Sequence, residues 1–231
     1  MDLPFSGKTA VIVGATSGIG LAVAERAGAL GARVQCIGRH PVSGMDVSLL
    51  DLDKPQNREA ALEMARECDI LVVVRGPFVQ EPLDSTDPSV WESLVTANLI
   101  FPGQLVSASL PRMCRNGWGR ILLFGGTRTD RVRGFRTNAA YAAAKTGLSS
   151  LVLSTAQGYA SRGITCNGIC PGFVDSGMHD TEMRRELERL SPLSKLVEEH
   201  DIASTAEFLL KTPSINGTIV RVDYGWSPSF I

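Results

Sequence analysis

The chain has 231 residues, 44% of them apolar and 20% charged, with a formal net charge of −1 and a sequence pI near 6.3. This length gives one large domain or two small ones with a sizeable core, and the near-neutral charge excludes the basic surface of a general nucleic-acid or membrane-surface binder. Five Cys (36, 68, 114, 166, 170) show no C-x-x-C spacing, and three His (40, 179, 200) are scattered, so reduced thiols and no metal site are expected.

Short apolar runs alternate with helical patterns along the chain. "KTAVIVG" (8–14) predicts a strand, and "IGLAVAERAGALG" (19–31) a helix stopped by Gly31. Strand "RVQCIG" (33–38) and a short strand in "VSLLDL" (47–52) follow, then a helical stretch over 55–67 and strand "DILVVV" (69–74). A long helix is expected from about 89 to 115, with a bend allowed at Pro102-Gly103. Strand "RILLFG" (120–125), a helix over 138–161 and strand "ITCNGI" (164–169) come next. Helices near 180–190 and 199–211 and a last strand "GTIVRV" (217–222) complete the pattern.

Strands apolar on both faces and separated by helices imply an α/β fold. The expectation is one doubly wound parallel sheet, Rossmann-like, with 1–231 as a single domain. Only about eight residues, "RHPVSGMD", join the second and third strands, so the crossover there is expected to be shortened and to lack its helix. The apolar runs fall well below the ~20 residues of a membrane span. The first strand also begins too early to leave room for a signal peptide, so a cytoplasmic protein is expected.

"VGATSGIG" places Gly14, Thr16, Ser17, Gly18, Ile19 and Gly20 at a strand-to-helix junction. Glycines there let the backbone approach a pyrophosphate, whose charge faces the helix N-terminus. The spacing is G-x-x-x-G-x-G rather than G-x-G-x-x-G, and a purely structural turn is the alternative. The second strand ends in Gly38-Arg39-His40, with no acid for a ribose diol. Arg39 can offer its fork to a 2′-phosphate, which favours NADP(H) over NAD(H). Asp51-Leu52, at the end of the third strand, is placed for the adenine edge.

At 141–145 the chain reads "YAAAK". Residues four apart share one helix face, and alanines between them leave the phenol and the ammonium approachable. Alone, such a pair is weak evidence. Taken with "VGATSGIG", "WESLVTANL", "CNGICPGFVDS" and "INGTIVRVDYGW" in order, the chain resembles the short-chain dehydrogenase/reductase family over nearly its whole length. The resemblance is to its single-domain form, close to 3-oxoacyl carrier-protein reductases. It implies that Tyr141 is the acid/base at the carbonyl oxygen, and that Lys145 tunes its pKa and binds the cofactor's ribose. It implies further that Asn98 anchors a water relay, and that Pro171, Gly172, Val174 and Ser176 frame the nicotinamide. A homotetramer or homodimer packed through helices 89–115 and 138–161 is also implied.

Two departures from the family stand out. Its NNAG is "VVRG" (73–76) here, which removes two bracing Asn side chains and sets Arg75, beside Gly76, near the cofactor's ribose and phosphates. The family's Ser, about thirteen residues before the Tyr, has no direct counterpart in "FGGTRTDRVRGFRTNAAY". Strand alignment gives Gly126, counting gives Arg128, and the nearest hydroxyl is Thr127. Thr127 orients the substrate oxygen if the loop is two residues longer; lacking such a donor would cost on the order of 10²-fold in rate.

The same loop carries Arg128, Arg131, Arg133 and Arg136 against Asp130. It reads as a cationic mouth for an anionic substrate or, alternatively, as a solvated or interface loop. The combined expectation is an NADP-dependent oxidoreductase acting on a small ketone or secondary alcohol. Two rivals stay open: a dinucleotide-binding sensor or scaffold with impaired turnover, and a reductase of an activated C=C or C=N bond.

Overall fold

In β1 (Thr9–Val13) successive side chains enter two different cores. Val11 and Val13 pack on one side of the strand and Ala10 and Ile12 on the other, all fully buried. β4 (Ile70–Val73) and β5 (Gly119–Phe124) repeat the split, with Leu71, Val73, Ile121 and Leu123 opposite Ile70, Val72, Leu122 and Phe124. A strand apolar on both faces needs a covering layer on each. The first layer comes from α2 (Pro55–Arg66), α4 (Phe101–Asn116) and α5 (Ala139–Tyr159). The second comes from α1 (Gly18–Ala29) and α7 (Glu199–Lys211). The computed structural model describes residues 3–175 and 180–226.

With β2 (Arg33–Gly38), β3 (Asp46–Leu49), β6 (Ile164–Pro171) and β7 (Ile219–Val222), the sheet has seven parallel strands in the order β3-β2-β1-β4-β5-β6-β7. The direction of winding reverses between β1 and β4. At such a switch point the loops diverge and open a crevice outside the carboxyl ends of the strands. α6 (Thr181–Leu190) is fully outside the core.

The expected shortened crossover is present. Residues 39–45 carry β2 to β3 without a helix, and the pair runs in register from Gln35↔Asp46 to Gly38↔Leu49. Seven extended residues span about 23 Å, enough to return past a four-residue strand.

Where the sequence allows a bend at Pro102-Gly103, the helix departs from regularity just before it. α3 (Pro88–Val95) runs into α4 through a π turn at Thr96–Ile100. Pro102 has no N–H to give the carbonyl of Asn98, so the ladder widens and the Phe101 N–H reaches back to Thr96 O. By length and mean hydropathy the 29-residue stretch Pro88–Asn116 passes for a membrane span, yet half of its most apolar window is buried within the fold.

Leu122, at the centre of β5, has no solvent exposure. Leu122→Ala is expected to lower the unfolding free energy by about 2–5 kcal/mol, read from urea titrations.

Candidate active site

Gly14 leaves β1 at φ 86, where a Cβ would stand 2.8 Å from the Arg75 nitrogen. At Gly20 a Cβ would meet Gly14 O at 1.9 Å, so only glycine allows the chain to fold back there. Gly18 opens α1, and Ser17 before it makes no capping bond. The first-turn N–H groups therefore carry no side-chain cap, and the turn holds no acidic residue of its own, although Glu199 Oε1 lies 3.2 Å from where a Gly18 Cβ would stand. Ile19 packs against the core behind the turn, and Thr16 lies so close to Gly38 that a Cβ there would overlap its side chain at 2.2 Å.

These approaches shape a cleft of about 280 Å³ whose lining includes Gly14, Thr16, Ser17, Arg39, Asp53 and Arg75. Arg39 is exposed at its rim. Leu52 is buried, while Asp51 accepts the Asp53 N–H at 3.2 Å and lies 3.9 Å from Lys54. A glycine cradle facing an uncapped helix N-terminus, beside an exposed guanidinium, fits the phosphates of a dinucleotide.

Lys145 projects from α5 beneath the end of β5. It is 2% exposed and donates to Phe124 O at 2.7 Å. Burial lowers its pKa to about 8; Cys170 opposes that shift, and the Arg75 charge adds to it. Its Nζ lies 6.0 Å from the centroid of the Tyr141 ring, which meets Phe78 edge-on at 5.0 Å. Burial, then the neighbouring Cys170, hold the Tyr141 phenol well above its ordinary value. The lowering expected from the Lys145 ammonium is not among the causes of this shift, and Tyr141 is protonated at neutral pH.

The π turn presents Asn98, fully buried. Its amide nitrogen donates to Pro77 O at 2.9 Å and Leu94 O at 3.0 Å, while its Oδ1 has no partner among the described residues. A Cβ on Gly76 would fall 2.8 Å from Lys145 Nζ and 2.9 Å from Asn98 Oδ1. Glycine at 76 therefore leaves a gap between a donor and an orphan acceptor, a polar setting suited to one water.

Gly126 faces the phenol from the other side: a Cβ there would lie 2.8 Å from the Tyr141 oxygen. Its N–H bonds to Thr129 Oγ1 at 2.9 Å, closing a turn in which Arg128 adopts φ 61. Thr127, expected to orient a substrate carbonyl, instead donates its hydroxyl proton to Pro171 O at 3.0 Å. A hydroxyl has one proton, so Thr127 can meet substrate only as an acceptor in this arrangement.

The cationic mouth is partly neutralised. Arg128 pairs with Asp223 at 3.4 Å, and Asp130 lies between Arg131 at 3.5 Å and Arg221 at 3.6 Å. Arg133 stacks 4.4 Å over Phe135 and 5.8 Å from Trp226. Beyond Pro171, Gly172 runs against Asp223, where a Cβ would stand 2.8 Å from Cα, and Val174 bridges Val197. Ser176 lies outside the described residues.

A profile of the short chain dehydrogenase family matches residues 8–187. The chain belongs to that family. This short chain dehydrogenase is 31% identical over 240 residues to the 3-oxoacyl-(acyl-carrier-protein) reductase FabG of Escherichia coli (strain K12), covering 96% of this chain and 98% of the relative. It is 28% identical over 256 residues to the D-beta-hydroxybutyrate dehydrogenase of Rhizobium meliloti (strain 1021), covering 95% and 98%. A solved structure from Beutenbergia cavernae, provisionally an NAD(P)-dependent gluconate 5-dehydrogenase with NADP bound at low occupancy, superposes with a TM-score of 0.84 at 29% identity. That match covers 96% of this chain and 98% of the other. Another short chain dehydrogenase/reductase structure gives a TM-score of 0.85 at 26% identity, covering 97% and 98%.

Three residues of this dehydrogenase's site were not singled out in its sequence. Asp53 binds Arg75 at 2.5 Å, Phe78 walls the Tyr141 ring, and Cys170 lies beneath Gly125, where a Cβ would come within 2.5 Å of its sulfur. The nearest signals were the acidic "DLD" run, the position of Phe78 two residues beyond Gly76, and the apolar setting of "CNGIC".

Because the Lys145 pKa falls from 10.5 to about 8 on folding, the unfolded chain holds the extra proton between those values, and stability rises with pH across that window. Relative to Lys145→Met, the wild type should be flat below pH 8 and gain about 3 kcal/mol by pH 10.5, measured by urea unfolding of both proteins. A constant difference across the window would contradict the buried ammonium.

Proposed function

We propose that this oxidoreductase uses NADP(H) to interconvert a small ketone and the matching secondary alcohol. The observation that carries the reading is Lys145, its Nζ 6.0 Å from the centroid of the Tyr141 ring, facing the gap that Gly76 opens to the orphan Asn98 oxygen. The bound nicotinamide supplies or accepts the hydride.

Tyr141, held protonated, donates to the substrate oxygen during reduction and takes that proton back during oxidation. Lys145 binds the ribose hydroxyls and, across the gap, exchanges protons with a water held by Asn98. The glycine turn and the α1 N-terminus hold the pyrophosphate, Arg39 the 2′-phosphate, and Asp51 and Leu52 the adenine edge. Pro171, Gly172, Val174 and Ser176 frame the nicotinamide, with Thr127 tethering that loop through Pro171.

Arg133 and Arg136 carry no carboxylate partner among the described residues, which supports an anionic substrate. Ile100 and Leu153, 48% and 52% exposed on the long helices, support a homo-oligomer. Five unbridged cysteines support the cytoplasm.

The second reading is a dinucleotide-binding sensor. It is favoured by Gly126, which offers no side chain opposite the phenol. Rapid mixing of the protein–NADPH complex with a panel of ketones separates the two: nucleotide binding without hydride transfer to any of them would establish the sensor. Under the enzyme reading, Tyr141→Phe lowers kcat by about 10²–10⁴-fold and leaves NADPH affinity unchanged. Thr127→Val produces the smaller loss, since its proton serves Pro171 rather than substrate.

A further inference from the structure

Arg75 and Asp53 rise from opposite sides of the cleft. Arg75 follows β4 and Asp53 follows β3, and the strand order places β2 and β1 between those strands. The Arg75 side chain crosses that interval to bind Asp53 Oδ1 at 2.5 Å, so its guanidinium lies toward β2 and β3. Arg39, directly after β2, lines the same cleft and carries no ion pair among the described residues. Two arginines and one carboxylate thus line the same cleft, with a net charge of about +1 by this simple count.

We propose that Asp53 is a resident counter-ion of Arg75, and that the 2′-phosphate of the bound dinucleotide displaces it to gain the Arg75 fork alongside Arg39. This inference rests on the dinucleotide reading of the cleft. Its physical basis is an exchange of anions. The Asp53 side chain is 56% exposed and that of Arg75 only 20%, so the carboxylate is well placed to leave into water. With the carboxylate more than half in water, the pair is well screened on that side, and opening it is a modest obstacle. A phosphate monoester brings nearly twice the charge and several acceptor oxygens to a planar fork that matches them. The exchange makes the pair a specificity device: ligands without the 2′-phosphate cannot replace the carboxylate and bind with Arg75 still occupied.

The test is titration calorimetry with NADPH, NADH, 2′,5′-ADP and 5′-AMP, on the wild type, Asp53→Asn, Arg75→Ala and the double variant. Removing the competing charge should tighten 2′,5′-ADP by about two- to fivefold, the range of an exposed ion pair, and change 5′-AMP less. Arg75→Ala should weaken 2′,5′-ADP more than 5′-AMP, and in its background Asp53→Asn should have no remaining effect on the ratio. Weaker 2′,5′-ADP binding by Asp53→Asn would mean that the pair persists as a brace, and the exchange would be wrong. A preference for 2′,5′-ADP untouched by Arg75→Ala would overturn it as well. Failure of the wild type to bind either dinucleotide would instead remove the reading on which the exchange rests.

Discussion

A buried ammonium is the constraint around which the site is organised. Moving the Lys145 pKa from 10.5 to about 8 corresponds to roughly 3 kcal/mol against its charged form. The fold offsets part of that cost with one carbonyl, Phe124 O, at the last residue of β5. Among the described residues no carboxylate is bonded to it, and its surroundings include the Cys170 sulfur, the Tyr141 ring and the gap left by Gly76. An incompletely satisfied cation of this kind favours any ligand that brings hydroxyl groups to it.

Tyr141 is shifted in the complementary sense. Burial disfavours its phenolate as it disfavours the Lys145 ammonium, so the cavity penalises either charge. In such a medium a single charge or dipole that develops during reaction is felt strongly, because little water competes for it. The orphan Asn98 oxygen belongs to the same design. It owes its position to a π turn that follows from Pro102, a residue whose effect appears on the carbonyl four places before it.

The substrate side is built differently. Where the family places a hydroxyl, Gly126 leaves the phenol uncovered, and the nearest hydroxyl secures Pro171. The arginine-rich loop forms a lattice of ion pairs, Arg128 with Asp223 and Arg131 and Arg221 with Asp130, tying the loop to β7 and to the residue after it. Much of the charge that seemed available for ligands therefore holds the mouth in shape, and Arg133 lies between Phe135 and Trp226 without a carboxylate.

The order of elements, the two-faced strands, the missing crossover helix and the sharing of one face by Tyr141 and Lys145 were legible in the sequence. Each depends on periodicity, on chain length or on glycine and proline within a few residues, and such constraints are local. Three features were decided only by the tertiary structure. Asp53 meets Arg75 across 22 residues, Thr127 gives its proton to a carbonyl 44 residues away, and Cys170 arrives from another strand close to Tyr141 and Lys145. A side chain's partner is chosen by which neighbours the fold brings within hydrogen-bond reach and removes from water. Spacing along a chain carries no record of either.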